Sequence, residues 1–275
     1  MEDTLTSGRI TVVCAPEARP LIDRLNAAFA ALYPETDIQV RNGPSREAVA
    51  ALFGARSDLA VIMRELEPDE RGAAVRGRLE LEGYRFARDA IVVIVNPGNR
   101  VENLALDDLR RVYQGKVTRW DELGGSNRPI VPVIQQPVLD IMAFFIQQVM
   151  GGQAIETKAV YRDSDSAVVA TVMRDPDAIG FVSLGWADRG AKALRLSSLT
   201  GLPYWKPDAE TVYRENYPLT RFLNLYVRPS GARLAHGFIT FVTSREGQKI
   251  VHEAGWVPTA VPVRFVRRSP LRSSH

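Results

Sequence analysis

Hydrophobic residues follow two alternating spacings in the first part of the chain. Residues 10–13, 38–40 and 59–63 are short apolar runs rich in β-branched residues, which is typical of buried strands. Between them, residues 20–32 and 46–53 carry apolar side chains at intervals of three and four, which predicts helices. Because short strands alternate with helices, we predict an α/β fold with parallel strand pairs.

The same alternation continues to the end of the chain. The predicted strands are 90–95, 130–134, 179–183 and 222–227, and the predicted helices are 70–81, 104 to a stop at Gly115, 141–150, 166–173, 234–242 and 246–254. Residues 201–216 are rich in loop-forming residues. The strand at 90–95 is strongly apolar and ends at a Pro-Gly pair, so we expect the chain to cross between two lobes there.

The length of the chain favours two lobes. Its 275 residues exceed the roughly 100–200 residues that are usual for one domain. We expect a discontinuous first lobe, residues 8–88 plus 190–265, a second lobe, residues 89–189, and a basic tail, residues 266–275. Each lobe is predicted to hold a mixed, mostly parallel sheet flanked by helices.

Composition and charge exclude several classes of protein. Hydrophobic residues make up 45% of the chain and charged residues 24%, which is typical of a folded soluble protein. The net charge of +3 is not concentrated in a basic stripe interleaved with aromatic residues, so we expect no nucleic-acid partner. No apolar run reaches the roughly 20 residues of a membrane-spanning helix. Residues 1–8 are polar, so we expect no signal peptide in this chain: either a leader has been removed or the protein stays in the cytoplasm.

Residues that carry catalysis or bind metals are sparse. Cys14 is the only cysteine, which excludes an internal disulfide and a cysteine-based zinc cluster. The three histidines, His236, His252 and His275, have no metal-ligand spacing and no obvious carboxylate partner. No glycine-rich phosphate loop or nucleophile elbow occurs. We therefore expect no catalytic residue, no metal and no cofactor.

A candidate ligand loop lies between a strand and a helix at residues 134–140. The N-terminus of a helix presents unpaired N–H groups and the positive end of the helix dipole, so it favours bound anions. Val138, Leu139 and Asp140 occupy that place here.

Several stretches of the chain resemble one family, the phosphate-type solute-binding proteins of bacterial ABC transporters. The stretches are ITVVCAPEARPLIDRLNAAFAALYP at 10–34, ARDAIVVIVN at 87–96, LALDDLRRVYQGKVTRW at 104–120, DPDAIGFV at 175–182, YPLTRFLNLYV at 217–227 and FVTSREGQKIVHEAGWVP at 241–258. The resemblance covers nearly the whole chain. It implies the two-lobed periplasmic-binding-protein fold, with a ligand cleft between the lobes.

In that family three loops at helix N-termini hold a tetrahedral oxyanion through hydroxyls and backbone N–H groups. The first loop normally reads Gly-Ser-Ser/Thr-Thr, and here reads Cys-Ala-Pro-Glu at 14–17. The second normally reads Gly-Ser-Gly, and here reads Pro-Ser-Arg at 44–46. The third loop normally carries an arginine ahead of Ser-Gly-Thr, and here corresponds to 134–136 followed by 138–140, without any of these residue types. The resemblance implies ligand-binding positions at Ala15, Pro16, Glu17, Ser45, Arg46, Arg64, Gln135, Val138, Leu139 and Asp140.

Two carboxylates, Glu17 and Asp140, fall about where the family has threonines that contact phosphate. Because these negatively charged carboxylates repel a bound anion, we expect weak or no binding of phosphate. Other interpretations stay open: Asp140 as the N-cap of its own helix, Glu17 in the first turn of its own helix, and Ser45 as cap, ligand donor or both. Arg64 is equally compatible with a salt bridge to Glu17 or Glu65, and Arg46 with a solvated position.

The function that follows is a non-catalytic solute-binding protein with altered or lost phosphate specificity. Its partners would be a small-molecule or oxyanion solute and an ABC permease or another protein, in the periplasm or outside the cell. One alternative is a non-transport protein whose filled cleft leaves it to act through protein partners. A second is an enzyme on the same fold that uses Glu17 and Asp140 as acid and base.

Overall fold

The structure is a computed structural model that describes residues 2–259. The basic tail predicted at 266–275, and the end of the first lobe predicted at 260–265, lie outside the described residues.

Helices and strands alternate through the first part of the chain, as predicted. These elements are β1 (Gly8–Cys14), α1 (Arg19–Leu32), β2 (Thr36–Asn42), α2 (Ser45–Phe53), β3 (Leu59–Ile62), α3 (Pro68–Arg76) and β4 (Glu82–Val95). The middle of the chain forms β5 (Asn103–Ala105), α4 (Leu106–Tyr113), β6 (Val131–Gln135), α5 (Asp140–Gln148), β7 (Val160–Arg162), α6 (Asp165–Arg174) and β8 (Ala178–Ser183). The remaining elements are β9 (Lys192–Ala193), β10 (Arg195–Ser197), α7 (Ala209–Tyr213), β11 (Thr220–Val227), α8 (Arg233–Thr243), α9 (Arg245–Glu253) and β12 (Val257–Pro258).

The largest sheet is mixed and contains both lobes' strands. Its order is β2-β1-β3-β11-β4-β8-β6-β7. β1 is parallel to β2 and β3, and β6 is parallel to β7 and β8. β11 is antiparallel to β3 and β4, and β4 is antiparallel to β8. The predicted α/β class with a mixed sheet is confirmed.

β4 joins the two halves of this sheet as one long strand. Its residues 82–90 pair with β11, and residues 91–95 pair with β8. The apolar part that the sequence predicts as a strand, residues 90–95, is therefore only the second half of β4. The first half begins with four residues, 82–85, that are alternately partly buried and exposed, and only then becomes mostly buried. It therefore lacks the continuous apolar run that marks the second half.

A large hydrophobic core lies on each half of β4. In the first, α1, α8 and α9 cover β1 and β3, and Phe29 packs its ring edge against Phe238. In the second, Phe145 of α5 stacks on Phe181 of β8 with ring centroids 4.0 Å apart. Trp120 is buried in this second core. The cleft between the two cores is where the candidate site must lie.

The predicted bounds of two helices are wrong. Residues 104 and 105, predicted as the start of a helix, belong to β5, and α4 begins at Leu106. α3 begins at Pro68 and ends at Arg76, whereas the sequence pattern predicts residues 70–81. Pro68 fits the first turn of a helix, and the chain leaves the helix at Gly77, which accounts for both ends. The short helix α7 was missed inside the predicted loop at 201–216.

The N-terminal segment packs on α8. The Asp3 carboxylate accepts hydrogen bonds from the N–H groups of Arg233 and Leu234, at 2.9 and 3.2 Å, and so satisfies the first turn of that helix. The backbone of Leu5 crosses Gly237 so closely that a Cβ at this position would overlap the Leu5 carbonyl oxygen. Gly237 is therefore required for this contact.

Candidate functional site

Three segments at helix N-termini meet in the cleft. Ser45 is the first residue of α2, and Asp140 is the first residue of α5. Glu17 lies in a short 3-10 helix, Pro16–Ala18, that leads into α1. The hydrogen bonds that link these segments join the β1 and β3 half of the sheet to α5 in the second core. The structure thus brings together one candidate residue from each of the three predicted loops.

The carboxylate of Asp140 lies at the N-terminus of α2. Its Oδ2 accepts a hydrogen bond of 2.6 Å from the Ser45 hydroxyl and one of 3.2 Å from the Ser45 N–H. The Ser45 hydroxyl oxygen in turn accepts the Met63 N–H at 3.1 Å. Ser45 is fully buried and Asp140 is 9% exposed. A carboxylate of the chain itself therefore occupies a position that favours anions.

The carboxylate of Glu17 makes the reciprocal contact at the N-terminus of α5. Its Oε1 accepts the N–H of Ile141 at 3.4 Å. Burial raises the pKa of Glu17, Arg221 opposes that rise, and the nearby Asp140 adds to it. Glu17 Oε2 is buried and has no hydrogen-bond partner among residues 2–259. Each carboxylate thus lies at the start of a helix that belongs to the other side of the cleft.

The prediction that Asp140 caps its own helix is wrong. Leu139 is the N-cap of α5, and its own side chain makes no capping hydrogen bond. Asp140 itself has helical geometry as the first residue of α5, so its carboxylate is directed to the N–H and hydroxyl of Ser45 instead. The N-terminus of α2 lacks a side-chain cap of its own and provides the unpaired donors.

Arg64 does not contact the carboxylates that the sequence suggested. The predicted salt bridge to Glu17 or Glu65 is wrong, because the Arg64 guanidinium donates two hydrogen bonds of 2.8 Å to Glu70. A third contact joins Arg64 Nε to Glu67 at 3.4 Å. Glu70 is buried beside it at the start of α3, so the pair fixes the loop after β3.

The other predicted positions have different environments. Ala15 is buried in the first core, Pro16 begins the 3-10 helix, Leu139 is partly buried, and Val138 is 67% exposed. Arg46 is exposed on α2 and forms salt bridges to Glu67 and Asp69 at 3.2 and 2.7 Å. These four residues and Arg46 offer no inward-facing charge to a ligand in the cleft.

Gln135 is engaged with a buried carboxyl group. Its side-chain amide donates to Asp165 Oδ1 at 2.6 Å, and the Ser183 N–H donates to the same oxygen at 3.3 Å. Burial raises the pKa of Asp165 to about 6, and repulsion from Asp89 adds to that rise. The Gln135 side chain is therefore used in a buried hydrogen-bond network with Asp165 and the Ser183 backbone.

Sequence reasoning missed Arg221, the central charge of the site. Its Nε and Nη2 bind Asp89 Oδ2 at 2.9 and 2.8 Å, and both side chains are 1% exposed. Nη2 also donates to the Ser183 hydroxyl at 3.3 Å, while Nη1 is buried without a partner among the described residues. The signal was present: each charge stands inside an apolar strand, and buried charges need a partner.

A cavity of about 680 Å³ opens beside Asp140. The loop after β3, one face of α5 and residues 220–222 of β11 form its walls. Arg64, Asp140 and Arg221 line it together with Phe144 and Phe222. Of the two carboxylates at the helix N-termini, Asp140 is thus adjacent to this open volume.

Residues 2–259 contain neither a cluster of metal-ligating side chains nor a helix fit to cross a membrane. Within that span, no group of three or more histidine, cysteine, aspartate or glutamate side chains is arranged to hold a metal ion. No helix in the same span is both long enough and apolar enough to cross a membrane.

Comparisons with known proteins agree with this fold. The chain is 26% identical to the phosphate-binding protein PstS of Bacillus subtilis over 257 residues, which cover 92% of this chain and 81% of that protein. An ABC-type phosphate transport receptor from Vibrio cholerae superposes with a TM-score of 0.79 at 24% identity, over 90% of this chain and 99% of that one. PstS from Borrelia burgdorferi superposes with a TM-score of 0.71 at 19% identity, over 92% and 99% of the two chains.

These similarities confirm the predicted two-lobed periplasmic-binding-protein fold and the predicted resemblance. A family model described as PBP superfamily domain matches residues 2–246, which is most of the sequence. The chain belongs to the PBP superfamily.

Proposed function

We propose that this chain is a non-catalytic solute-binding protein, related to the substrate-binding components of phosphate ABC transporters, in which the protein's own Asp140 replaces the oxyanion. Its relatives named phosphate-binding protein PstS and its full-length match to a phosphate transport receptor support the transport role. One observation carries the change of ligand. The Asp140 carboxylate accepts both the hydroxyl and the N–H of Ser45 at the start of α2.

Phosphate would have to displace this carboxylate and remain beside it. The Ser45 donors are already used, and Glu17 takes the N–H of Ile141 at the start of α5. At about 4 Å, two like charges repel by roughly 1 kcal/mol in water and by about 4 kcal/mol at an effective dielectric constant near 20. Free phosphate is therefore not the ligand of this arrangement.

The same contacts fit a mechanism of lobe closure. Ser45 and Glu17 belong to segments packed on the β1 and β3 half of the sheet, Glu17 beside the first core and Ser45 in α2, which packs in a separate cluster with Val13 and Ile62. Asp140 and Ile141 belong to α5, which packs in the second core. Their hydrogen bonds hold the cleft closed without a solute. A solute that binds between the lobes shifts the population of open and closed forms only through a difference in affinity for the two forms.

The function is tested by titrating inorganic phosphate into the protein in a calorimeter. We expect no binding to the natural sequence, and measurable binding to the double variant Glu17→Thr/Asp140→Thr, which restores hydroxyls and removes two charges. The control variant Glu35→Thr/Glu80→Thr removes two exposed carboxylates elsewhere and should not bind phosphate. Micromolar phosphate binding by the natural sequence would refute the proposed ligand change.

A second candidate function is a non-transport protein that acts through protein partners. The packing of the cleft favours it, because Ser45, Asp89 and Arg221 are all at most 2% exposed. The two functions differ in their response to solutes. The melting temperature is measured with a panel of sugars, organic acids, amines, amino acids and oxyanions. At least one solute should raise the melting temperature of a transport component, and none should raise that of a protein with a filled cleft.

The enzyme alternative has weaker support. Glu17 and Asp140 interact electrostatically, as paired catalytic carboxylates would. Both, however, accept hydrogen bonds at helix N-termini, which is the role of a bound anion. We therefore propose a binding role without catalysis.

Lobe boundaries and cellular location are also part of this proposal. We place the first crossing of the chain between the lobes near residue 90, where β4 stops pairing with β11 and begins to pair with β8. Leu194, Leu196 and Leu219 pack in the second core, which favours a return to the first lobe at β11 rather than at residue 190. A solute-binding role with an ABC permease as partner implies a location outside the cytoplasmic membrane.

A further inference from the structure

Two carboxylates from opposite sides of the cleft interact electrostatically, but the protein offers good hydrogen-bond donors to only one of them. Asp140 Oδ2 accepts the Ser45 hydroxyl at 2.6 Å and the Ser45 N–H at 3.2 Å. Glu17 Oε1 accepts the N–H of Ile141 at 3.4 Å, which is long for a hydrogen bond. Glu17 Oε2 is buried without a partner among residues 2–259. The closed cleft therefore suits an ionised Asp140 and does not suit an ionised Glu17.

Arg221 attracts the Glu17 carboxylate but does not neutralise it. The Arg221 guanidinium is bound to Asp89 Oδ2 at 2.9 and 2.8 Å, and its field also reaches Asp140. One guanidinium thus faces three carboxylates, and Asp89 alone balances its charge. Arg64, which also faces Asp140, is held in its ion pair at the start of α3. The negative charges of Glu17 and Asp140 consequently remain in excess in one buried region.

The other neighbours of Glu17 add no compensating charge. Arg19, at the start of α1, is paired with Asp23 at 2.6 Å. Burial raises the pKa of the Cys14 thiol at the end of β1, so this thiol is neutral. Ser45 of α2 offers a neutral hydroxyl, which already donates across the cleft. Glu17 can therefore ionise in the closed cleft only at a cost in free energy.

Opening of the cleft would change the surroundings of Glu17. Glu17 belongs to the 3-10 helix that leads into α1, whereas Asp140 and Ile141 belong to α5 on the other side. Separation of these segments would expose Glu17 to water and remove the carboxylate that repels it. Water favours the ionised form of a carboxyl group, and burial beside a like charge favours the neutral form. The closed cleft thus has the higher affinity for a proton at this position.

We propose that closure of the cleft takes up a proton on Glu17, so that acidification closes the cleft and a rise in pH opens it. The proton comes from water and binds the Glu17 carboxylate, while Asp140 stays ionised on the donors of Ser45. The two carboxyl groups then share one negative charge. This inference rests on the lobe closure of the proposed function and adds the proton that controls it.

The direction of the pH response follows from the two protonation equilibria. In the closed cleft, burial raises the pKa of Glu17 above its ordinary value of 4.5, Arg221 opposes the rise, Asp140 adds to it, and the N–H groups of Glu17 and Ile141 oppose it. Below pH 4.5 Glu17 is neutral in both forms, so closure buries no charge there. This advantage is lost as the pH rises through the raised pKa. Each unit of pKa difference between the forms lowers the ratio of closed to open protein about tenfold above that range.

The test follows the distance between the lobes by single-molecule fluorescence energy transfer. Dyes are attached at Leu32→Cys on α1 and at Lys116→Cys after α4, both exposed positions, while the natural Cys14 is buried and unreactive. The closed fraction is measured from pH 4.5 into the alkaline range. We expect it to fall as the pH rises, both in the natural sequence and in Ser45→Ala, which weakens the other contact across the cleft and populates the open form.

Two variants of equal shape separate Glu17 from the other buried carboxyl groups. Glu17→Gln cannot ionise and should remove the pH response, with a closed fraction near that of the natural sequence in acid. Asp165→Asn removes a carboxyl group whose pKa is about 6, but its partners Gln135 and Ser183 lie on the same side of the cleft, so the pH response should remain. A pH response that persists in Glu17→Gln would overturn the proposal.

The two proposals fail in different ways. If the lobes open and close in a ratio that does not depend on pH, lobe closure stands and the proton inference is wrong. If the natural sequence and Ser45→Ala both show one unchanging distance at every pH and with every solute of the panel, lobe closure itself is wrong, and the proton inference with it.

Discussion

The hydrogen bond between Ser45 and Asp140 should couple the two sides of the cleft strongly. Its 2.6 Å length, the additional N–H contact to the same oxygen and the burial of both residues make it a charge-assisted bond in a site of low dielectric constant. Such bonds contribute about 1.5–3 kcal/mol. A double-mutant cycle of Ser45→Ala and Asp140→Ala should therefore give a coupling free energy of about 1.5–3 kcal/mol.

The coupling is measured from urea unfolding curves of the four proteins, followed by fluorescence and by circular dichroism. An exposed salt bridge of equal length, Arg9 to Asp37 at 2.6 Å, provides the control cycle. Its coupling should be about 0.2–1 kcal/mol, because this pair is solvent-accessible, with the Arg9 side chain 70% and the Asp37 side chain 34% exposed. If the Ser45–Asp140 coupling is no larger than that of the control, the two residues do not hold the cleft closed.

Three further predictions follow from buried groups and from close packing. The pKa of Glu17 is raised in the folded protein, so ionisation of Glu17 lowers the free energy of unfolding as the pH rises above the ordinary pKa of 4.5. Glu17→Gln should therefore raise the free energy of unfolding near neutral pH and leave it unchanged below pH 4.5. Arg221→Met should lower the free energy of unfolding by about 3–5 kcal/mol by leaving Asp89 buried and unpaired, and Arg221→Met/Asp89→Asn should recover part of that loss. Gly237→Ala should release the N-terminal segment, seen as faster proteolysis there, while Gly72→Ala in α3 meets only a flexible arginine end and should be neutral or stabilising.

Each of these has a clear contrary result. Equal effects of Glu17→Gln at acidic and neutral pH would show that Glu17 ionises without a penalty. A double variant as unstable as Arg221→Met would mean that the unpaired charge is not the cause of the loss. Proteolysis of Gly237→Ala at the rate of Gly72→Ala would show that the segment does not need this close approach.

The sequence predicts most of the fold because apolar residues follow a clear pattern in each of its main helices and strands. Strands such as β1 and β3 are short apolar runs, and α1 and α8 show helical spacing. The elements that were missed lack these signals. β9 and β12 contain two residues each, too few to show alternation, and exist because β4 offers them a partner.

The site could be predicted only in part, because its decisive contacts are remote in sequence. The resemblance selects Glu17, Ser45 and Asp140 correctly as neighbours in the cleft. Local rules then assign Asp140 to its own helix, but Ser45, its partner, lies 95 residues away and leaves no pattern near it. Arg221 and Asp89 stand in stretches that carry the resemblance, and their pairing across β11 and β4 becomes visible only in the assembled sheet.

The central position of β11 has a consequence for the order in which the protein folds during synthesis. β11 lies between β3 and β4, yet residues 220–227 leave the ribosome only after the whole segment that follows β4. At about 5–20 residues per second, that delay is on the order of ten seconds. During this time β3 and the first half of β4 have unpaired edges, which invite aggregation. The nascent chain therefore depends on early folding of the second core or on chaperones, and truncation before residue 220 should leave an insoluble product.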